Sequence, residues 1–142
     1  AGYGLWSDIR HDILPMQELA ADGSVEVPRA EDGHYYLTLT INGTAVPFMV
    51  DTGATGMVLA GVDADRLGID PESLSYLGEA STANGVVRTA RVTLPTVELG
   101  PYRNQDFRAY VTEGALDQSL LGMDYLGQFR MEFSGGKLIL RQ

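Results

Sequence analysis

The sequence contains no cysteine and is short of positive charge. Among its 142 residues, ten Lys and Arg stand against nineteen Asp and Glu, which gives a formal net charge of −9. Without Cys, neither a disulfide framework nor a cysteine nucleophile is available. A nucleic-acid partner and an anionic membrane surface both require basic patches, so the charge balance argues against each of them.

Histidine and long apolar runs are also scarce. With two His and no His-Glu-x-x-His grouping, we expect no metal site and no cofactor. No stretch reaches the roughly 20 consecutive apolar residues that a membrane-spanning helix needs. The length suits one domain with a real core. Seventeen Gly and six Pro interrupt the apolar runs, which favours many short strands over long helices.

The most informative feature is an acidic residue between two short apolar runs. Asp51 follows the run 48–50, and the run 57–59 comes after five small residues. These runs predict buried strands, and Thr-Gly-Ala-Thr-Gly between them predicts a tight turn. A carboxylate placed there is partly desolvated, so it must be hydrogen-bonded, paired or protonated. On position alone, a turn residue that caps its own backbone is the commoner role.

Two hairpins are predicted around this turn. Residues 35–41 alternate and are rich in β-formers, and Asn42-Gly43 connects them to a second strand that ends at Asp51. A second hairpin has its tip at residues 82–85, which also contain Asn-Gly. Its arms are polar, so we expect this hairpin to project from the core, where it can act as a lid.

Short helices and a lead-in segment complete the predicted organisation. Residues 62–68 predict a helix ended by Gly68, and residues 123–126 predict about one helical turn after a buried strand. Asp124 is interpreted as a residue that caps or solvates that turn. Residues 1–24 are interpreted as an N-terminal lead-in or linker, and residues 25–142 as the folded domain.

In their order along the chain, these motifs resemble those of retropepsin-like (retroviral-type, clan AA) aspartic proteases in their bacterial single-domain form. Val-Asp-Thr-Gly-Ala at 50–54 resembles the active-site signature, and residues 119–126 resemble the apolar-apolar-Gly segment with its short helix. Residues 82–85 resemble the flap region, and residues 27–35 resemble the lead-in strand. The resemblance implies an all-β fold, a closed barrel with a flap hairpin and one or two short helices.

The resemblance also implies an aspartic endopeptidase that hydrolyses polypeptides. Two carboxylates a hydrogen bond apart share one proton and together activate a water molecule. The chain contains a single Asp-Thr-Gly, so the second carboxylate must come from another copy. A two-fold homodimer would bring Asp51 of each chain to the axis. Because one Asp of the pair must be protonated, we expect activity to favour acidic pH.

Supporting residues follow from the same resemblance. Gly53 permits close approach of the backbone to the carboxylate, and the hydroxyl of Thr52 is implied to bond across the dimer axis. Asn84 and Gly85 of the flap would close over the substrate and exclude water. The residues implied to support the active-site loop are Thr52, Gly53, Ala54, Leu121 and Gly122.

A rival hypothesis keeps the fold without turnover: a catalytically silent peptide-binding or assembly module that binds its peptide by strand addition beneath the flap. A small-ligand β-barrel is a weaker alternative, because it explains neither the Asp-Thr-Gly turn nor the Leu-Leu-Gly segment. Bacterial proteins of the type that this chain resembles often carry a membrane segment ahead of the protease domain. We therefore expect an upstream anchor and a periplasmic or membrane-anchored location.

Overall fold

The computed structural model describes residues 16–82, 85–114 and 116–142, which form many strands and few helices. The helices are α1 (Gly61–Arg66) and α2 (Met123–Leu126), and a 3₁₀ turn covers Pro71–Ser73. This confirms the predicted all-β class with short helices. The strands are β1 (Glu18–Leu19), β2 (Val25–Pro28), β3 (Tyr36–Ile41), β4 (Thr44–Val50), β5 (Val58–Leu59), β6 (Gly78–Thr82), β7 (Gly85–Leu99), β8 (Tyr102–Thr112), β9 (Leu120–Leu121), β10 (Arg130–Ser134) and β11 (Lys137–Arg141).

Six of these strands close into a hydrogen-bonded ring in the order β3–β4–β9–β5–β8–β7, with β7 pairing back to β3. Strand β6 adds to the outer edge of β7, and a separate four-stranded sheet has the order β1–β2–β11–β10. Apolar side chains from the ring, from β2, from β11 and from α2 pack into one buried cluster. The ring is the closed arrangement that the sequence predicted.

The β3–β4 hairpin forms as predicted and positions Asp51. Its turn residues Asn42 and Gly43 have φ of 50° and 85°, and positive φ at both central residues gives the twist that a two-residue hairpin favours. Alternate residues of β3 are buried, and Leu37 pairs with Phe48 of β4. Strand β4 pairs with β3 along one edge and with β9 along the other, so its end places Asp51 at a defined point.

Strands β7 and β8 form a long hairpin. They pair in one register from Thr89↔Thr112 to Leu99↔Tyr102, with no pair between Pro95 and Asp106. Pro95 in β7 has no N–H to donate. Since no residue is inserted there, however, the register is the same on both sides of the proline. Opposite it, Asp106 takes a φ of 51°.

Residues 16–24 contact the rest of the fold. Strand β1 pairs with β2, and the side-chain amide of Gln17 bonds both main-chain groups of Thr38, with distances of 2.6 Å to its carbonyl and 3.1 Å from its N–H. Residues 1–15 lie outside the described residues. The boundary between a lead-in at 1–24 and a domain at 25–142 stays a prediction.

A buried polar network fastens α1 to the middle of the ring. The fully buried hydroxyl of Ser119 donates to Asp63 Oδ2 at 2.6 Å and accepts the N–H of Ala60 at 2.9 Å. The other carboxyl oxygen of Asp63 binds Arg66 at 3.1 Å. The carbonyl of Ser119 accepts the N–H of Met49 in β4 at 2.9 Å. Ser119, the residue just before β9, thus connects α1 to β4.

Two buried hydroxyls provide a matched test of this network. Ser119→Ala leaves a buried N–H and a buried carboxylate without this partner, so we expect the free energy of unfolding to fall by about 1–3 kcal/mol. Tyr125→Phe removes a buried hydroxyl that has no hydrogen-bond partner among the described residues, so we expect no loss. Urea unfolding measures both changes, and equal losses would contradict the assignment.

Candidate active site

Asp51 lies immediately after β4, and its main chain is held on both sides. Its N–H donates to the carbonyl of Leu121 at 3.0 Å, and its carbonyl accepts the N–H of Ala54 at 3.0 Å. Carboxyl oxygen Oδ1 accepts the N–H of Gly53 at 3.0 Å. Oxygen Oδ2 makes no hydrogen bond with any residue in the described ranges. The side chain therefore caps its own turn with one oxygen and keeps the other available.

The next three residues form the tight turn that the sequence predicts. A Cβ on Gly53 would lie 3.3 Å from Asp51 Oδ1, so a side chain there would crowd the carboxylate. Thr52 is exposed, and within the described part of the chain its hydroxyl has no hydrogen-bond partner. Ala54 is half-buried, and its carbonyl accepts the N–H of Met123 at 2.9 Å.

Leu121 and Gly122 pack directly beneath this turn. Leu121 is fully buried and pairs in parallel with Val50. A Cβ on Gly122 would lie 2.6 Å from the carbonyl oxygen of Gly56 and 2.7 Å from that of Ala54. Real Cβ atoms do not approach backbone oxygens this closely, so only glycine fits without moving the turn. Leu121 and Gly122 thus lie against the Asp51 loop, and their role in supporting an active site stays a prediction.

Asp124 lies beside the Asp51 loop, and the sequence interpretation did not include it in the candidate site. Its N–H donates to the carbonyl of Thr55 at 2.9 Å, and its Oδ2 accepts the N–H of Met57 at 3.3 Å. Burial raises the pKa of Asp124 above its ordinary value, while hydrogen bonds from the backbone of Met57 and Tyr125 lower it. The sequence interpretation assigned Asp124 to its own helix. No local signal reveals the contact, because Met57 lies 67 residues away.

A broad cleft of about 1430 Å³ lies between the Asp51 loop and the hairpin of β6 and β7. Its apolar lining includes Val58, Phe107 and Tyr110, and several acids lie around it. Arg108 is the one cation among the described lining residues. The acids that line the cleft are Asp51, Glu79, Asp106, Glu113, Asp117 and Asp124.

The hairpin predicted as a flap forms one wall of this cleft. Strands β6 and β7 pair from Gly78↔Thr89 to Thr82↔Gly85, and residues 78–81 line the cleft. Gly85 has a φ of 114°, in the region that favours glycine. Asn84 lies outside the described residues. The closing movement of this hairpin over a substrate stays a prediction.

Within residues 16–82, 85–114 and 116–142, no group of three or more His, Cys, Asp or Glu side chains is arranged to hold a metal ion. No helix in the same ranges is long and apolar enough to cross a membrane.

Comparison with known proteins gives the family. Residues 37–128 match the family model described as "gag-polyprotein putative aspartyl protease". A relative from Sinorhizobium sp, described as "Uncharacterized protein in cobV 5′region", is 39% identical over 101 residues, which are 70% of this chain and 43% of the relative. The chain spans about half the length of the sequence relatives that it matches, 43% and 51%.

Solved structures agree with this family. A retropepsin-like aspartic protease from Rickettsia conorii matches with a TM-score of 0.76 at 38% identity, over 83% of this chain and 89% of that one. EIAV protease in complex with the inhibitor HBY-793 matches with a TM-score of 0.58 at 21% identity, over 69% of this chain and 89% of that one. The latter likeness concerns the fold alone. The chain belongs to the retropepsin-like aspartic protease family, which confirms the resemblance stated from its motifs.

The contact beneath the Asp51 loop can be tested with two glycines. Gly122→Ala would press a methyl group into two carbonyl oxygens, so we expect the free energy of unfolding to fall by about 1–3 kcal/mol. Gly61→Ala is the control, because a Cβ there meets nothing within 4 Å. Chemical denaturation measures both variants. Equal stability of Gly122→Ala and the wild type would show that the loop can move away at no cost.

Proposed function

We propose that the protein is an aspartic endopeptidase in which the Asp51 carboxyls of two copies activate one water molecule. The observation that carries the proposal is the hydrogen bonding of the Asp51 carboxyl. Its Oδ1 is oriented by the N–H of Gly53, and its Oδ2 has no hydrogen-bond partner among the described residues. A carboxyl that lines a broad cleft and is held by a rigid turn suits a general acid or base.

A second carboxyl is required, and none of the residues that the structure describes offers one in the right contact. Among the described residues, no other carboxyl is hydrogen-bonded to Asp51, and the nearby Asp124 uses Oδ2 for the N–H of Met57. Thr52 and Gly53, beside the carboxyl, are exposed. An uncovered turn of this kind favours approach of a second copy about a two-fold axis, which makes each copy contribute half of the site.

In the proposed reaction the ionised Asp51 takes a proton from water as the oxygen of that water bonds to the peptide carbonyl carbon. The protonated Asp51 of the other copy donates its proton to the carbonyl oxygen, so the tetrahedral intermediate forms without net charge. Collapse of this intermediate breaks the C–N bond: the carboxyl that took the proton from water donates it to the leaving nitrogen, and the other carboxyl, now ionised, takes a proton from one hydroxyl of the intermediate, which leaves a carboxylic acid and an amine and restores the shared proton. Two carboxyls that share one proton are suited to both roles.

An extended polypeptide is the substrate class that fits the proposed site. The strands of the β6–β7 hairpin border the cleft beside Asp51, and apolar residues of β5 and β8 line it. Such walls can pair with a peptide backbone and accept its alternate side chains. The silent binding module would use the same walls, so turnover is the property that separates the two hypotheses.

Replacing the carboxyl tests the chemistry. Asp51→Asn keeps the shape of the side chain and removes its acid–base function, so we expect hydrolysis of an unstructured protein substrate to fall by at least about 10³-fold. Asp65→Asn is the control, since it removes the same charge from an exposed position of α1 outside the cleft. If wild type and variant both bind peptide and neither cleaves it, the binding-module hypothesis replaces the enzyme.

Dilution tests the shared site. If only the dimer is active, the rate per milligram of protein falls once the concentration drops below the dissociation constant of the dimer. Molecular mass in solution, measured over the same dilution series as the rate, should fall over the same range. Constant specific activity from a protein with the mass of one protomer would contradict the proposal.

A further inference from the structure

We propose that Asp124 is a positioning residue whose side chain holds the main chain of Met57 and so sets the substrate-facing wall at residues 55–58, an inference that rests on the proposed function. Residues 55, 56 and 58 line the cleft next to Asp51. Asp124 itself belongs to α2, which follows β9, and β9 pairs with β5 at Val58↔Leu120.

Three hydrogen bonds connect the start of α2 to residues 54–57. The N–H of Met123 donates to Ala54, and the N–H of Asp124 donates to Thr55, each at 2.9 Å. These two bonds use backbone groups, so almost any side chain would permit them. The third bond, from the N–H of Met57 to Asp124 Oδ2 at 3.3 Å, needs a side-chain acceptor. The identity of residue 124 therefore matters through Met57.

Met57 lies where the turn becomes β5. Its side chain is fully buried, and its carbonyl accepts the N–H of Tyr110 at 2.9 Å. Its N–H donates to the Asp124 carboxyl, so both main-chain groups of Met57 are hydrogen-bonded. Loss of the Asp124 acceptor would leave the N–H of Met57 without this partner, so that Met57 would be held through its carbonyl alone.

A displaced wall would alter the cleft itself. A Cβ on Gly56 would lie 2.9 Å from the Tyr110 ring, so the backbone of Gly56 already packs closely against that side chain. Because Tyr110 also lines the cleft, movement of Gly56 would displace it. Asp51 has separate anchors at Leu121 and Ala54. We therefore expect Asp124 to govern substrate binding more than the chemical step.

Three substitutions separate the position of the acceptor from its charge. Asp124→Asn keeps an oxygen acceptor in place and removes the charge, so its KM should stay closer to the wild-type value than the KM of Asp124→Ala does. Asp124→Ala removes the acceptor, and Asp124→Glu keeps the charge but displaces the acceptor by one methylene. Both should raise KM roughly three- to tenfold with little change in kcat, as expected for one lost hydrogen bond.

Amide hydrogen exchange at Met57 gives a readout that does not depend on turnover. The N–H of Met57 should exchange slowly in the wild type and in Asp124→Asn, and several-fold faster in Asp124→Ala and Asp124→Glu. If the wild type cleaves nothing, the proposed function fails, and the dissociation constant for a peptide replaces KM across the same variants. Unchanged exchange and unchanged binding in both Ala and Glu variants, or an Asn variant as impaired as Ala, would overturn the role of Asp124.

Discussion

The close approach of the two chain segments at Gly122 is the constraint on which the candidate site depends. Carbonyl oxygens of Ala54 and Gly56 lie where a Cβ on residue 122 would be. This contact lets α2 begin directly under the Asp51 turn. The bond from Asp51 to Leu121 and the bond from Met123 to Ala54 both require that approach. A side chain at position 122 would displace the backbone of the Asp51 loop.

The fold closes its core within one chain. The pairing of β3 with β7 completes the ring, and residues such as Leu37 and Phe48 are fully buried inside it. Hydrophobic burial, the main favourable term in folding, is thus satisfied in the protomer. The second copy that we propose would supply the other carboxyl and would leave the core as it is. The Asp51 turn can therefore be exposed in one copy and still be rigid, because the hydrogen bonds that hold it all lie within that copy.

Hydrogen bonds between residues far apart in the sequence contribute to this rigidity. Ser119 and Asp63 are 56 residues apart, and Met57 and Asp124 are 67 apart, yet each pair forms a hydrogen bond close to β9. Strand β9 is only two residues long, but it pairs in parallel with β4 and in antiparallel with β5. Such a short strand gains its stability from neighbours on both sides, and it holds together the two strands that flank the Asp51 turn.

Local chemistry explains which parts of this protein could be predicted from its sequence. Alternation in residues 36–41 and the Asn42-Gly43 turn determine a hairpin because both act over a few residues. The ordered motifs around Asp51 and Leu121 identify the family. The single register of β7 and β8 across Pro95, the strand order of the ring and the partner of Asp124 were decided only by the tertiary structure. Each of them depends on which distant segments pack together, and no local pattern of residues encodes that choice.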